Sequence, residues 1–130
     1  MKRMHSILGA TLLLVLISIA CSATAEEAPS ISPAELHALR ATDAAPLVLD
    51  VRTEKEFAEG HLPGALNIPH DEIQGRLAEI DAPNGVVVHC AVGPRARKGE
   101  ATLMAAGVES VRHLDGGFLA WKAAGYEITK

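Results

Sequence analysis

The sequence predicts a single α/β domain whose largely parallel sheet is covered by helices on both faces. Short, continuous apolar runs, typical of strands buried on both faces, alternate along the chain with segments that carry helix caps and helical apolar spacing. The chain has 130 residues, of which 48% are hydrophobic, and this size allows one compact domain but not two. Because ligands of such sheets bind outside the carboxyl ends of the strands, the candidate site residues are sought there.

The first 25 residues are typical of a secretory signal peptide. A short basic start at Lys2 and Arg3 precedes residues 7–20, an uncharged run too short to span a bilayer comfortably. Ala23 and Ala25 then place small residues at the positions that a signal peptidase recognises. We therefore expect cleavage after Ala25, export to the periplasm or the medium, and no membrane span in the mature chain. Cleavage changes the formal net charge from −4 to −6.

Cys21 offers a competing interpretation, since a cysteine that follows an apolar run and a small residue can be acylated in a lipoprotein. The signal of lipoproteins prefers a bulky aliphatic residue where this chain has Ser18, so acylation is the less favoured alternative. Cleavage after Ala25 leaves Cys90 as the one cysteine of an exported chain. A single thiol there is an intermolecular partner, an inert buried group or a reactive centre.

The first elements of the mature chain follow from their caps and apolar runs. Residues 26–31 are predicted to be a linker. A helix begins at Ser32, because Ser32 and Glu35 form a capping box and Pro33 suits the first helical position. Residues 47–49 are a continuous apolar run and predict a buried strand.

The next elements are a helix, a strand and a second helix. Thr53 and Glu56 form another capping box, which predicts a helix that ends at Gly60. Residues 65–68 predict a short strand. Apolar residues at helical spacing predict a helix over residues 73–80.

The last elements repeat the alternation of strand and helix. Asn-Gly at residues 84–85 makes a turn into residues 86–89, the strongest strand pattern in the chain. A helix is predicted over residues 96–106, a strand within residues 108–114, and a final helix over residues 118–124. The whole pattern is that of successive βα units in one sheet.

Cys90 is the candidate nucleophile, since it lies directly after the strand over residues 86–89 and before a helix. Backbone amides of a tight strand-to-helix turn and the helix N-terminus both favour a thiolate. Gly93 gives the loop conformational freedom, and Arg95 and Arg97 bring positive charge to an acidic chain. These features favour a reactive cysteine with a small anionic substrate over an inert buried cysteine.

Other site types are less well supported by the residues. His89 precedes Cys90, but neighbouring strand residues point to opposite faces, so His89 is predicted to be structural. The histidines show no spacing typical of a metal site, and no metal is expected. A mildly acidic chain without a basic stripe is also a poor binder of nucleic acid.

Three motifs in the chain resemble the signatures of the rhodanese-like domain family. The first runs from Asp50 to Pro69, the second is Cys90-x-x-Gly93-x-Arg95-Ala96, and the third is Leu114-x-Gly116-Gly117-Phe118-x-x-Trp121-x-x-Ala124-Gly125. The resemblance spans residues 31–128, and the domain is assigned to residues 32–130. With an export signal and one small domain, the chain is similar to the phage-shock type of this family.

The resemblance implies a five-stranded parallel sheet in the order 1-5-4-2-3 and the chemistry of a sulfurtransferase. Cys90 would take sulfur from an anionic donor such as thiosulfate, forming a persulfide, and would pass it to cyanide or a thiol acceptor, with no cofactor. The implied donor-binding residues follow Cys90 directly: Ala91, Val92, Gly93, Pro94, Arg95 and Ala96. Arg97 is added to these candidates for its charge, with a role on the helix surface as the open alternative. The implied supporting residues are Asp50, Arg52, Gly116 and Gly117.

The supporting residues have expected structural roles. Asp50 is expected to accept hydrogen bonds that hold a loop or turn, and Arg52 to pair with an acidic neighbour. Gly116 and Gly117 are expected to permit a tight strand-to-helix turn near the site. Pro94 removes one amide donor from the loop and makes it more rigid.

Two alternatives remain beside sulfur transfer. Cysteine-dependent phosphatases of a related fold, and arsenate reductases, require His-Cys-x5-Arg, but this chain has Ala96 at the position of that arginine. The shorter loop suits one sulfur atom better than a phosphate. The second alternative is a non-catalytic sulfur carrier or docking module, which would form the persulfide but turn over poorly.

Overall fold

The computed structural model describes residues 26–130, so the predicted signal peptide and Cys21 lie outside the described residues. A five-stranded parallel sheet has the order β1-β5-β4-β2-β3, which confirms the expected topology. Its strands are β1 (Ser30–Ile31), β2 (Leu47–Asp50), β3 (Leu66–Asn67), β4 (Val86–His89) and β5 (Val111–Leu114). The helices are α1 (Pro33–Arg40), α2 (Glu54–Glu59), α3 (Pro94–Ala105) and α4 (Gly117–Ala123).

The sheet buries apolar side chains on both faces, as the continuous apolar runs predict. Val86 and Val88 of β4 pack into one core cluster, together with Leu103 of α3. Val87, between them, packs into the second cluster with Leu36 of α1 and Trp121 of α4. Alternate side chains of β4 therefore pack into two different core clusters. Packing on both faces holds this strand, which precedes Cys90, rigidly in place.

Both predicted capping boxes are present. Ser32 and Glu35 exchange side-chain and backbone hydrogen bonds at the start of α1. Thr53 and Glu56 do the same at the start of α2. These contacts satisfy amides that have no partner within a helix, and they fix where each helix begins.

The structure corrects two of the predicted elements. The segment predicted as a linker over residues 26–31 contributes β1, whose Ile31 is buried and pairs with Leu114; two residues are too few for a strand pattern. The helix predicted over residues 73–80 is instead two short 3₁₀ turns, Ile73–Gly75 and Leu77–Glu79. Gly75 has a low helix propensity. Arg76, between the two turns, has a non-helical φ of −129°.

Smaller differences concern where elements begin. α3 begins at Pro94 and not at residue 96, since proline fits the first turn of a helix. α4 begins at Gly117, one residue before its predicted start. Within residues 26–130, no helix is long and apolar enough to cross a membrane.

Candidate active site

Cys90 lies at the carboxyl end of β4, between neighbouring strands β2 and β5. Its side chain is 1% exposed, and among residues 26–130 it forms no disulfide. Loop residues 91–93 connect it to α3, which begins at Pro94. The sequence prediction of a cysteine between a buried strand and a helix N-terminus is thus confirmed.

Helix α4 holds the loop by its first backbone amides. The Phe118 N–H donates to the carbonyl oxygen of Cys90 over 2.9 Å, and the Leu119 N–H donates to that of Ala91 over 3.1 Å. Gly117 has φ +61°, and a Cβ atom there would lie 2.7 Å from both carbonyl oxygens. The expected role of Gly117 in a tight turn is confirmed, since only glycine allows α4 to approach the loop this closely.

The loop leaves several amide donors without a protein acceptor. Within residues 26–130, we find no hydrogen bond from the backbone N–H of Ala91, Val92, Gly93, Arg95 or Ala96 to a protein oxygen. Pro94 has no N–H to contribute. Unpaired amides at a helix start are a common way to bind an anion, because they combine hydrogen-bond donors with the positive end of the helix dipole.

Asp50 and Arg52 form a buried ion pair beside the end of β2, as expected for both residues. Arg52 Nη2 lies 2.7 Å from Asp50 Oδ2 and donates to the Gly60 carbonyl oxygen over 2.7 Å. The guanidinium also lies over the Phe118 ring, 4.0 Å from its centroid. This pair therefore ties the β2 end and the end of α2 to the first turn of α4.

His89 contacts the backbone of Cys90 and has a structural role there, as predicted. Its Nδ1 donates to the Cys90 carbonyl oxygen over 3.1 Å, and its Nε2 lies 3.7 Å from Asp50 Oδ2. Burial lowers the pKa of His89, so the ring is neutral near neutral pH. The His89 side chain therefore helps to hold the backbone of Cys90 in place.

Arg95 is bound by a carboxylate that the sequence analysis assigned only to a helix cap. Its Nη1 and Nη2 lie 2.6 Å and 3.0 Å from the two oxygens of Glu56. Hydrogen bonds from the Arg95 side chain hold the pKa of Glu56 down at about 2. No spacing rule could reveal this pair, because its members are 39 residues apart and on different helices.

The structure corrects the placement of Arg97 among the donor-binding residues. Its Nη1 donates to the Ala28 carbonyl oxygen over 2.9 Å and lies 3.5 Å from Glu100 Oε2. The Arg97 side chain therefore binds the segment before β1. This orientation also places its charge beside the buried Glu100 carboxylate. Of the other predicted residues, Gly117 lies against the carbonyl oxygens of Cys90 and Ala91, and residues 91–96 follow Cys90 directly along the chain.

A second buried pair, missed by the sequence analysis, supports the loop from the side of β5. His113 Nδ1 lies 2.6 Å from Glu100 Oε1, and a Cβ atom on Gly93 would lie 3.9 Å from the His113 ring. Burial raises the pKa of Glu100. The only signal in the sequence is a polar residue at a strand position that faces the core.

Within the described residues, no group of three or more His, Cys, Asp or Glu side chains is placed to hold a metal ion.

The family model described as Rhodanese-like domain matches residues 32–124. A protein named sulfurtransferase from Allochromatium vinosum is 39% identical over 82 residues, which cover 63% of this chain and 77% of that protein.

Two further comparisons agree with this match. A thiosulfate sulfurtransferase of Pseudomonas entomophila is 36% identical over 95 residues, which cover 72% of this chain and 84% of that protein. The crystal structure of a rhodanese-related protein from Thermoplasma volcanium has a TM-score of 0.70 at 28% identity, and the match covers 78% of this chain and 97% of that one.

Proposed function

Since the chain belongs to the rhodanese-like domain family, we propose that it is a sulfurtransferase that carries a sulfane sulfur as a persulfide on Cys90. The relatives named sulfurtransferase and thiosulfate sulfurtransferase support this class of reaction. The donor in this proposal is a small anion such as thiosulfate, and the acceptor is cyanide or a thiol.

In the first step, the Cys90 thiolate attacks the outer sulfur of thiosulfate. A bond forms between Sγ and that sulfur, while the sulfur–sulfur bond of the donor breaks. Sulfite leaves with the bonding electron pair, and the cysteine becomes a persulfide anion. The unpaired backbone amides of residues 91–93, 95 and 96 stabilise the negative charge of the donor and then of the persulfide.

In the second step, the acceptor attacks the outer sulfur of the persulfide. Cyanide would leave as thiocyanate, and a thiolate acceptor would leave as a persulfide anion. In both cases the electron pair of the broken bond returns to Sγ and regenerates the Cys90 thiolate. The cycle therefore needs no cofactor or external oxidant.

The unpaired loop amides around a buried cysteine are the observation that carries the proposal. A cysteine that only fills the core needs no such donors, whereas an anionic donor and a persulfide both do. Four residues lie between Cys90 and Arg95, and this spacing suits one sulfur atom better than the several oxygens of a phosphate.

We also propose that the chain acts after export, in the periplasm or the medium. The basic start, the short apolar run and the alanines at positions 23 and 25 support this assignment. Fractionation of expressing cells, with N-terminal sequencing of the product, tests it. A product that begins at Glu26 outside the cytoplasm agrees with the assignment, and an unprocessed cytoplasmic chain would refute it.

Steady-state formation of thiocyanate from thiosulfate and cyanide tests the enzyme activity. We expect turnover in the wild type and none in Cys90→Ser, whose fold should be unchanged. A single sulfur transfer with no further turnover would instead support the carrier alternative. Hydrolysis of an aryl phosphate that depends on Cys90 would overturn the proposal in favour of a phosphatase.

A further inference from the structure

We propose that Glu56 sets the charge selectivity of the donor site by neutralising Arg95. The proposal rests on the proposed function for the identity of the donor. It goes beyond that function, because it assigns a role in selectivity to a helix-capping residue on another element. The consequence is a site that binds a donor chiefly through backbone amides and discriminates only weakly in favour of dianions.

The geometry of the pair is bidentate and is fixed from both sides. Arg95, in the first turn of α3, reaches Glu56 of α2 with both Nη atoms, at 2.6 Å and 3.0 Å. Glu56 also accepts hydrogen bonds from the N–H and the hydroxyl of Thr53 at 3.3 Å and 3.1 Å. Glu56 therefore cannot move away from Arg95 without breaking the cap of α2.

The charge of Glu56 persists under all ordinary conditions. The Arg95 side chain keeps the pKa of Glu56 at about 2, so the carboxylate is ionised wherever the protein is folded and assayed. Both side chains are about one-third exposed, so the pair lies near solvent and interacts electrostatically with an approaching donor. An anion meets a neutral pair at this point and not a free cation.

Two other arginines near the loop are also paired. Arg52 is bound by Asp50, and Arg97 by Ala28 and Glu100. Arg95 is thus the loop cation whose charge one exposed carboxylate controls. Removing that carboxylate would release a positive charge at the donor site.

Glu56→Gln is the variant that isolates the charge. Glutamine keeps an oxygen for Thr53 and Arg95 but carries no negative charge. We expect the KM for thiosulfate, a dianion, to fall about three- to tenfold, and kcat to change less than KM. The fall in KM for benzenethiosulfonate, a monoanion, should be about half as large on a logarithmic scale.

Alkylation of Cys90 tests the same electrostatic effect without any sulfur transfer. Iodoacetate is an anion, and iodoacetamide is neutral and of similar size. We expect the ratio of their rate constants, iodoacetate over iodoacetamide, to rise several-fold in Glu56→Gln. This ratio decides the proposal even if the protein proves to have no sulfurtransferase activity.

Two controls make the test specific. Glu59→Gln removes an exposed charge from the same helix and should leave the ratio and both KM values close to those of the wild type. Adding Arg95→Gln to Glu56→Gln should return the ratio to the wild-type value or below it. The proposal is overturned if Glu56→Gln, shown to be folded, leaves the alkylation ratio unchanged or lowers it, or if Glu59→Gln changes it equally.

Discussion

Gly117 lies where α4 approaches the backbone of Cys90 and Ala91. We predict that Gly117→Ala destabilises the protein by more than about 2 kcal/mol and slows persulfide formation, since its Cβ would meet two carbonyl oxygens at 2.7 Å. Gly107→Ala is the matched control: Gly107 also has a positive φ, but a Cβ there meets nothing within 4 Å. Gly107→Ala should lower the free energy of unfolding by only about 1 kcal/mol.

Urea unfolding and the rate of sulfur uptake from thiosulfate measure both glycine variants. Equal losses of stability in the two variants would show that the backbone conformation, and not the contact with the loop, is what requires glycine at Gly117.

Asp50 is the second residue whose replacement should strongly destabilise the fold. We predict that Asp50→Asn lowers the free energy of unfolding by about 3–5 kcal/mol, because it leaves the Arg52 guanidinium buried without its counter-charge. Chemical denaturation at neutral pH measures this loss. A loss below about 1 kcal/mol would mean that the Gly60 carbonyl and the Phe118 ring suffice to hold the arginine.

Individual residues differ in how far the sequence reveals their roles. The nucleophile, the glycine turn and the Asp50–Arg52 pair lie in local motifs, and the structure places the turn and the pair as expected. The partners of Arg95 and Arg97 are on distant elements. Because the tertiary structure decides the partners of long side chains, the sequence alone left the direction of Arg97 open and missed the second role of Glu56.

At the scale of elements, the two capping boxes form a natural pair for comparison. We predict that Ser32→Ala and Thr53→Ala each cost about 1 kcal/mol of stability, since each removes a helix cap. Only Thr53→Ala should also lower the KM for thiosulfate, in the direction of Glu56→Gln, because the Thr53 hydroxyl helps to hold Glu56.

Thermal or urea unfolding and steady-state kinetics of the two cap variants check this difference. If Ser32→Ala changes the KM as much as Thr53→Ala does, then general loosening of the fold, and not the hold on Glu56, accounts for the effect.

Elements with strong local patterns were predicted well, and weakly patterned ones were not. β4 and both capped helices carry continuous apolar runs or reciprocal caps, and they form where predicted. β1 exists because the edge of β5 offers a partner, and the 3₁₀ turns exist because tertiary packing buries Ile73 without a full helix. Tertiary contacts, which no local pattern encodes, decide such elements.

At the scale of the whole molecule, alternating strands and helices were enough to predict a largely parallel sheet, whereas the strand order was implied by the resemblance to the rhodanese-like domain family. The same alternation brings the ends of β2, β4 and β5 to one edge of the sheet, and the loop of Cys90 lies there. The charge distribution of the assembled site could not be predicted, because it depends on which ion pairs the folded chain forms.

At the scale of the whole molecule, His89 should make the stability of the protein sensitive to mild acid. Burial lowers the pKa of His89 from its ordinary 6.5, so below about pH 6.5 the unfolded chain binds a proton that the folded chain does not. The contribution of His89 to the free energy of unfolding therefore decreases as pH falls from 7 to 5, whereas Glu100, whose pKa burial raises, contributes with the opposite sign. Below about pH 4.5, the depressed pKa of Glu56 adds to the loss.

Urea unfolding of the wild type and of His89→Asn between pH 7 and 5 checks this contribution. Asparagine retains a donor for the Cys90 carbonyl oxygen and does not titrate. Its unfolding free energy should vary less with pH than that of the wild type, and an identical slope in both proteins would assign the acid sensitivity to other groups.

The persulfide on Cys90 is the central claim, and intact mass measurement tests it most directly. Purified wild type and Cys90→Ser are treated with thiosulfate in the absence of reductant. We predict that the wild type gains the mass of one sulfur atom, that cyanide removes it, and that Cys90→Ser gains nothing. No gain in folded wild-type protein with a free thiol, or an equal gain in Cys90→Ser, would contradict the mechanism.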